Sequence, residues 1–139
     1  TEDIDPDKLG QLFVDFCLKV INIYGSIDVV YCDSAEQTLI LGIKAALRKS
    51  GLGWIRVENA LKTVINDRIR ATTRLMAQQR SRYMDLMCES LVTALCSAVW
   101  NPKNLTENER LDDGTSDIDS LDSFEYTFER DIANLIRYE

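Results

Sequence analysis

The chain has 139 residues, room for one domain with a real core, and its 45% hydrophobic and 28% charged content is ordinary for a globular protein. It contains no histidine, and its four cysteines (Cys17, Cys32, Cys88 and Cys96) form no Cys-x-x-Cys pair. That excludes Ser-His-Asp and Cys-His catalysis and histidine-containing zinc sites, leaving carboxylates and lysines for any enzymatic work.

In chain order, Asp5-Pro6 predicts a helix start, with Asp as N-cap and Pro in the first turn where its missing N–H does no harm. Leu9, Leu12, Phe13, Phe16, Val20 and Ile23 recur at helical spacing until Gly25. Ile27 to Cys32 predicts a buried strand. Ser34 to Gln37 has capping-box spacing and opens a helix carrying Leu39, Ile40, Ile43 and Leu47 to Gly51. Trp54 to Val57 is a second short strand, so strand, helix and strand form one right-handed βαβ unit with parallel strands.

A basic helix is expected from about Thr63 to Gln79, with Val64, Ile65, Ile69 and Leu75 facing inward. Arg82 to Leu86 reads as a short strand or an extended connection, and Glu89 to Trp100 as a helix ending before Pro102. Asn101 to Ser116 is polar and loop-like, with Asp112-Asp113-Gly114 as a turn. The last helix starts near Asp117, with Leu121, Phe124, Phe128, Ile132 and Leu135 as its core stripe. Tyr31, Trp54, Trp100 and all four cysteines sit in apolar runs and are expected in the core, the cysteines reduced. No apolar run approaches the roughly 20 residues of a membrane span, and no signal or transit peptide is visible. The chain starts at Thr1-Glu2-Asp3 without Met, as a fragment or processed product would.

Charge is unevenly spread. The net charge is -7, yet Lys44 to Arg82 holds ten Lys or Arg against Glu58 and Asp67, a local +8. A basic block in an acidic chain suits an anion-binding surface. It equally suits a pair of solvated amphipathic helices.

Two acidic features carry the chemistry. Asp33 follows the first strand at once, and in open α/β sheets ligands gather at the carboxyl ends of strands. A carboxylate there, beside the start of a helix, can hold a divalent metal, or it can simply flank the helix. Asp119 and Asp122 are three residues apart on the last helix, one turn from each other, and a cation between them would relieve their repulsion. Acids also crowd first turns because the helix dipole favours them, and Asp117 is assigned to the cap alone.

Taken together, Tyr31-Cys32-Asp33-Ser34-Ala35-Glu36, Val57 to Lys62, Ile65 to Ile69 and Asp119-Ser120-Leu121-Asp122-Ser123-Phe124-Glu125-Tyr126 resemble the nuclease domain of phage terminase large subunits. That family has a strand ending in Asp-Ser-Ala-Glu, a lysine-bearing segment after the next strand, an Ile-x-x-x-Ile helix, and a helix with His or acid, x, x, Asp, Ala, x, x, Tyr. The resemblance runs from about Gly25 to Glu129 and rests on the order and spacing of the set.

It implies an α/β chain with a truncated RNase H-like fold, a small and mainly parallel sheet flanked by helices, as a single domain over residues 1–139. It implies a metal-dependent endonuclease that cleaves concatemeric double-stranded DNA with two Mg²⁺ or Mn²⁺ ions. Asp33, Asp119 and Asp122 would be the catalytic metal ligands. Lys62 would sit near the DNA, and Arg68, Arg70 and Arg74 would contact phosphates without reading sequence. The implied partners are the terminase small subunit and the portal protein, in the host cytoplasm, with no membrane.

The chain departs from the family in its first acid. Residues 1 to 24 offer no strand to carry it, and Asp15 lies on the opening helix. Weak metal binding and poor cleavage are therefore expected of this chain by itself. The ATPase motif GxxxxGK[ST] is also missing from the sequence. Two other readings stay open: a different RNase H-like nuclease or resolvase, and a non-catalytic interaction domain of the packaging motor.

Overall fold

Asp5 caps the first helix as its sequence requires: its side chain accepts the Asp7 N–H at 3.2 Å, and Pro6 opens α1 (Pro6–Tyr24). Gly25 ends α1 at φ +94°, and its N–H donates to the Ile21 carbonyl. At that φ a side chain would clash with the backbone, which is why the run of helical spacing stops at glycine. The computed structural model describes residues 5–104 and 108–136, so the chain's opening four residues, positions 105–107 of the polar connection and residues 137–139 lie outside the described residues.

Among these residues the chain is α/β, with six helices and one two-stranded parallel sheet. It divides into two compact units, residues 1–60 and 61–139. Among the described residues no helix is long and apolar enough to cross a membrane.

The first unit holds α1, β1 (Val29–Cys32), α2 (Gln37–Lys49) and β2 (Arg56–Asn59). The strands pair in parallel, Val29 with Arg56 through Cys32 with Asn59, as the expected βαβ unit requires. Val30 and Val57 face each other in that register and pack on the core of Val14, Cys17, Leu47, Leu52 and Ile55. The strand expected to be buried is half-buried throughout, because two strands leave both outer edges unpaired. The expected capping box does not close: Gln37, not Ser34, opens α2, and its Nε2 donates to the Ser34 carbonyl at 2.8 Å. Gly10 lets α1 lie close on α2, since a Cβ there would stand 3.0 Å from the Ala46 Cβ.

The second unit holds α3 (Ile65–Ala77), a 3₁₀ turn (Asp85–Met87), α4 (Glu89–Ser97), α5 (Ile118–Tyr126), a second 3₁₀ turn (Glu129–Asp131) and α6 (Ile132–Ile136). α3 packs on α6, and α4 on α5. A single antiparallel bridge joins Trp100 to Arg110 within the polar connection.

The inward face of α3 is displaced from expectation. Arg68, Ala71 and Thr72 are buried, whereas Val64 is 65% exposed. The last helix is broken rather than continuous, and its buried positions are Ile118, Leu121, Glu125, Tyr126, Glu129 and Ile132. Phe124 and Phe128, expected in the core stripe, are half-buried and form an edge-to-face row with Tyr83. The stripe turns by one residue because two carboxylates find partners inside, so their burial is compensated. Trp54, Trp100 and Cys96 are exposed, so neither tryptophan, nor that cysteine, belongs to the core.

Each unit carries one tryptophan, which allows them to be followed separately. Leu47 is 1% exposed at the centre of the first unit's core. Leu47→Ala should lower that unit's stability by about 2–5 kcal/mol, measured by urea denaturation followed through Trp54 fluorescence in a Trp100→Phe background. An unchanged midpoint would show that the cluster does not hold the unit together.

Candidate functional site

Asp33 stands directly after the last residue of β1, at the carboxyl end of the parallel pair. Its Oδ1 accepts the Ala35 N–H at 2.9 Å, so the carboxylate shapes the strand-to-helix turn itself. At the same end of β2 is Asn59, the register partner of Cys32. Gln37 Nε2 lies 3.5 Å from the Asn59 Oδ1, and the Ala60 N–H donates to the Cys32 carbonyl at 2.7 Å. Asp33, Gln37 and Asn59 thus edge the strand ends where ligands of α/β sheets gather. Burial pushes the Cys32 thiol up, against the lowering pull of Lys44, so the neighbouring sulfur stays protonated and is a poor nucleophile.

The acids of α5 separate into different tasks. Asp117 caps the helix, accepting the Ser120 N–H at 3.0 Å and the Ser120 hydroxyl at 2.7 Å. The side-chain and backbone hydrogen bonds from Ser120 hold its carboxyl below the ordinary range. Asp113 does the same at the Gly114 turn, where the Thr115 hydroxyl and N–H lower its carboxyl.

Asp119 and Asp122 are one turn apart but open onto different cavities. Asp119 lines a groove of about 770 Å³ beside Leu86, Met87 and Phe124. Asp122 lines a cleft of about 560 Å³ with Arg68, Arg110 and Asp112. Asp119 and Asp122 thus line separate cavities.

Asp122 instead enters a buried ion-pair cluster. Its Oδ1 accepts from Arg68 Nη1 at 3.1 Å and from Arg110 Nη1 at 3.0 Å. Arg110 grips Glu125 with both terminal nitrogens, Nη1 to Oε2 at 2.9 Å and Nη2 to Oε1 at 2.5 Å. Arg68 Nη1 reaches the same Glu125 Oε2 at 3.1 Å, and Glu125 is 0% exposed. Burial works against the Arg110 charge, but its hydrogen bond and charge pairing with Glu125, then with Asp122, raise its affinity for the proton overall.

Glu129 fills a second niche. Its carboxylate accepts three successive backbone N–H groups, from Leu61 at 3.1 Å, Lys62 at 3.2 Å and Thr63 at 3.0 Å, with the Thr63 hydroxyl at 3.3 Å. Lys62 adopts φ +52° to turn its N–H into this nest, a left-handed conformation that a non-glycine residue rarely holds without such support. Neither Glu125 nor Glu129 was expected inside. The signal was present in their i, i+4 spacing from Leu121, which continues the buried face with acids.

The basic residues also divide. Lys62 is exposed, and Arg68 is 8% exposed with its guanidinium committed to carboxylates, a placement that does not suit the expected phosphate contact. Arg74 donates one N–H to the Ile136 carbonyl at 3.1 Å, and Arg70 is exposed on the same side of α3. Among the described residues no group of three or more His, Cys, Asp or Glu stands together to hold a metal. Asp33 offers hard oxygen donors that suit Mg²⁺ or Mn²⁺, but Asp122 is already neutralised by two guanidiniums.

Breaking the buried pair by Arg110→Ala should cost about 3–5 kcal/mol, since Glu125 is left charged and unpaired inside. The double variant Arg110→Met with Glu125→Leu should lose less than the single one. Urea melts followed by Trp100 fluorescence in a Trp54→Phe background decide this, and equal losses would deny the pair its role. The Asp117 cap carries a sign that can be checked. Because its carboxyl is held below the ordinary value of 3.8, its contribution is present above that pH and is lost as pH falls through the lowered value. The stability gap between the unaltered chain and Asp117→Ala should therefore narrow on acidification below pH 3.8, in thermal melts of the same background. A gap that stays constant or widens there would show that the charge plays no part in the cap.

Comparison with protein-family models, with curated proteins and with solved structures finds no match to this chain. Its function is read from its own residues.

Proposed function

We propose that the chain is part of a metal-dependent, RNase H-like endonuclease domain of a viral DNA-packaging terminase large subunit, acting on double-stranded DNA. One observation carries the reading: a parallel βαβ unit with Asp33 at the carboxyl end of its first strand. An acid in that position is where this resemblance puts its central metal ligand. The sheet geometry, with ligands expected at strand carboxyl ends, supports that assignment independently of any motif. Lys62, Arg70 and Arg74 supply the positive charge that a DNA substrate needs. Asp119 and Asp122 enter this reading through the resemblance alone, and the arginine pairing of Asp122 counts against a ligand role for it.

That same pairing favours a second reading, a non-catalytic interaction domain of the packaging motor in which the acids of α5 are structural. Leu86 and Met87, 94% and 74% exposed beside α4, give such a domain a contact surface.

Calorimetric Mn²⁺ titration separates the two. The nuclease reading expects saturable binding that weakens about tenfold or more, roughly 1.4 kcal/mol per decade, in Asp33→Asn. Asp28→Asn is the control, an exposed acid at the amino end of the same strand region. Saturable binding indifferent to both changes would overturn the nuclease reading and leave the interaction domain.

A further inference from the structure

α3 and α6 pack against each other along an open cleft of about 1050 Å³. Three arginines line it: Arg70 and Arg74 from α3, and Arg130 from the 3₁₀ turn before α6. Arg70 and Arg74 are four residues apart and so project from one side of the helix. Two acids also line the cleft, Asp67 and Glu129. Glu129 contributes little negative charge to the opening, because its carboxylate is 1% exposed and turned into the Leu61–Thr63 nest. Among the described lining residues, Asp67 is the acid that stands with the three guanidiniums outside that nest.

Arg74 gives one donor to the Ile136 carbonyl, which fixes the side chain across the cleft and leaves the rest of its five-donor fork for other acceptors. The walls between the arginines are Thr63 and Thr73, whose hydroxyls can donate, and the aliphatic Ile69, Ile132 and Ala133. A guanidinium pairs bidentately with a phosphate oxygen pair, and several along a cleft favour a chain of phosphates over a single anion. α3 itself spans roughly 20 Å at 1.5 Å per residue, room for several phosphates of one strand.

We propose that the α3–α6 cleft holds the sugar-phosphate backbone of a nucleic acid through Arg70, Arg74 and Arg130, without a metal ion. The proposal extends the nuclease reading, resting on it only for the choice of nucleic acid as the occupant. It adds Arg130, which no sequence pattern had singled out, and it removes Arg68, which is turned inward to Asp122 and Glu125.

The test is fluorescence anisotropy of a labelled duplex of about 20 base pairs, titrated with the whole chain in EDTA across a salt series from about 50 to 200 mM. Arg70 and Arg130 are exposed, so Arg70→Ala and Arg130→Ala should fold normally, which circular dichroism verifies. Each should weaken binding roughly three- to tenfold and reduce the slope of log affinity against log salt by about one. Arg56→Ala, in β2 of the first unit, should leave both quantities unchanged. Binding that is absent at the lowest salt, or that is unaffected by both cleft variants, overturns the proposal. So does displacement of the duplex by polyglutamate at equal charge concentration, which would identify an acidic protein segment as the occupant. Because EDTA removes any ion, failure here leaves the Asp33 titration standing, and failure of that titration leaves this result intact.

Discussion

The second unit is organised around charge rather than hydrocarbon. Arg110 and Glu125 form a two-point ion pair at its centre, with Arg68 and Asp122 closing the cluster. The buried apolar residues of the unit are Ala71, Ala94, Ile118, Leu121, Tyr126 and Ile132. Taking these charges out of water is unfavourable by several kcal/mol per ion, so the arrangement holds only while every member keeps its partner. Three segments distant in sequence meet there: α3 through Arg68, the polar connection through Arg110, and α5 through Asp122 and Glu125. The Trp100–Arg110 bridge is flanked by two backbone bonds of 2.9 Å, from the Asn101 N–H to the Glu109 carbonyl and from the Leu111 N–H to the Val99 carbonyl. The ion pair ties that connection to α5.

Glu129 applies the same logic to the backbone. Three consecutive N–H groups without strand or helix partners would be unfavourable inside a protein, and one carboxylate satisfies all three. The left-handed Lys62 is the conformational consequence. A residue that resembles a DNA-facing lysine thus has its backbone fixed by a buried acid of the second 3₁₀ turn. The first unit follows the opposite principle, with Val14, Cys17, Leu47, Leu52 and Ile55 forming a conventional apolar core under a two-stranded sheet.

These placements bear on function in opposing ways. Asp33, shaped into the turn after β1, is where an α/β protein would gather a ligand. Asp122 is where a salt-bridge cluster needs an acceptor, and its single engaged oxygen receives two guanidiniums. An acid can serve structure and chemistry at once, but a metal cation beside Arg68 and Arg110 would meet their repulsion. The arginine cleft of α3 and α6 depends on neither acid.

Much of the local structure was legible in the sequence. Asp5-Pro6 and Gly25 bracket α1, the βαβ unit is parallel, Asp117 caps α5, and the Asp113-Gly114 turn forms as its residues require. Each depends on short-range rules of capping, proline and glycine geometry or periodicity, and short-range rules are written in adjacent residues. What the sequence did not reveal depends on partners far apart in the chain. Glu125 and Glu129 look solvated until Arg110, Arg68 and the 61–63 backbone arrive to pair them, across separations of up to 68 residues. Arg68 looks like a phosphate contact until the same carboxylates claim it. Hydrophobicity marks a side chain as inward by its own composition, whereas a charge is admitted inside only by its partner, and only the tertiary structure supplies that partner.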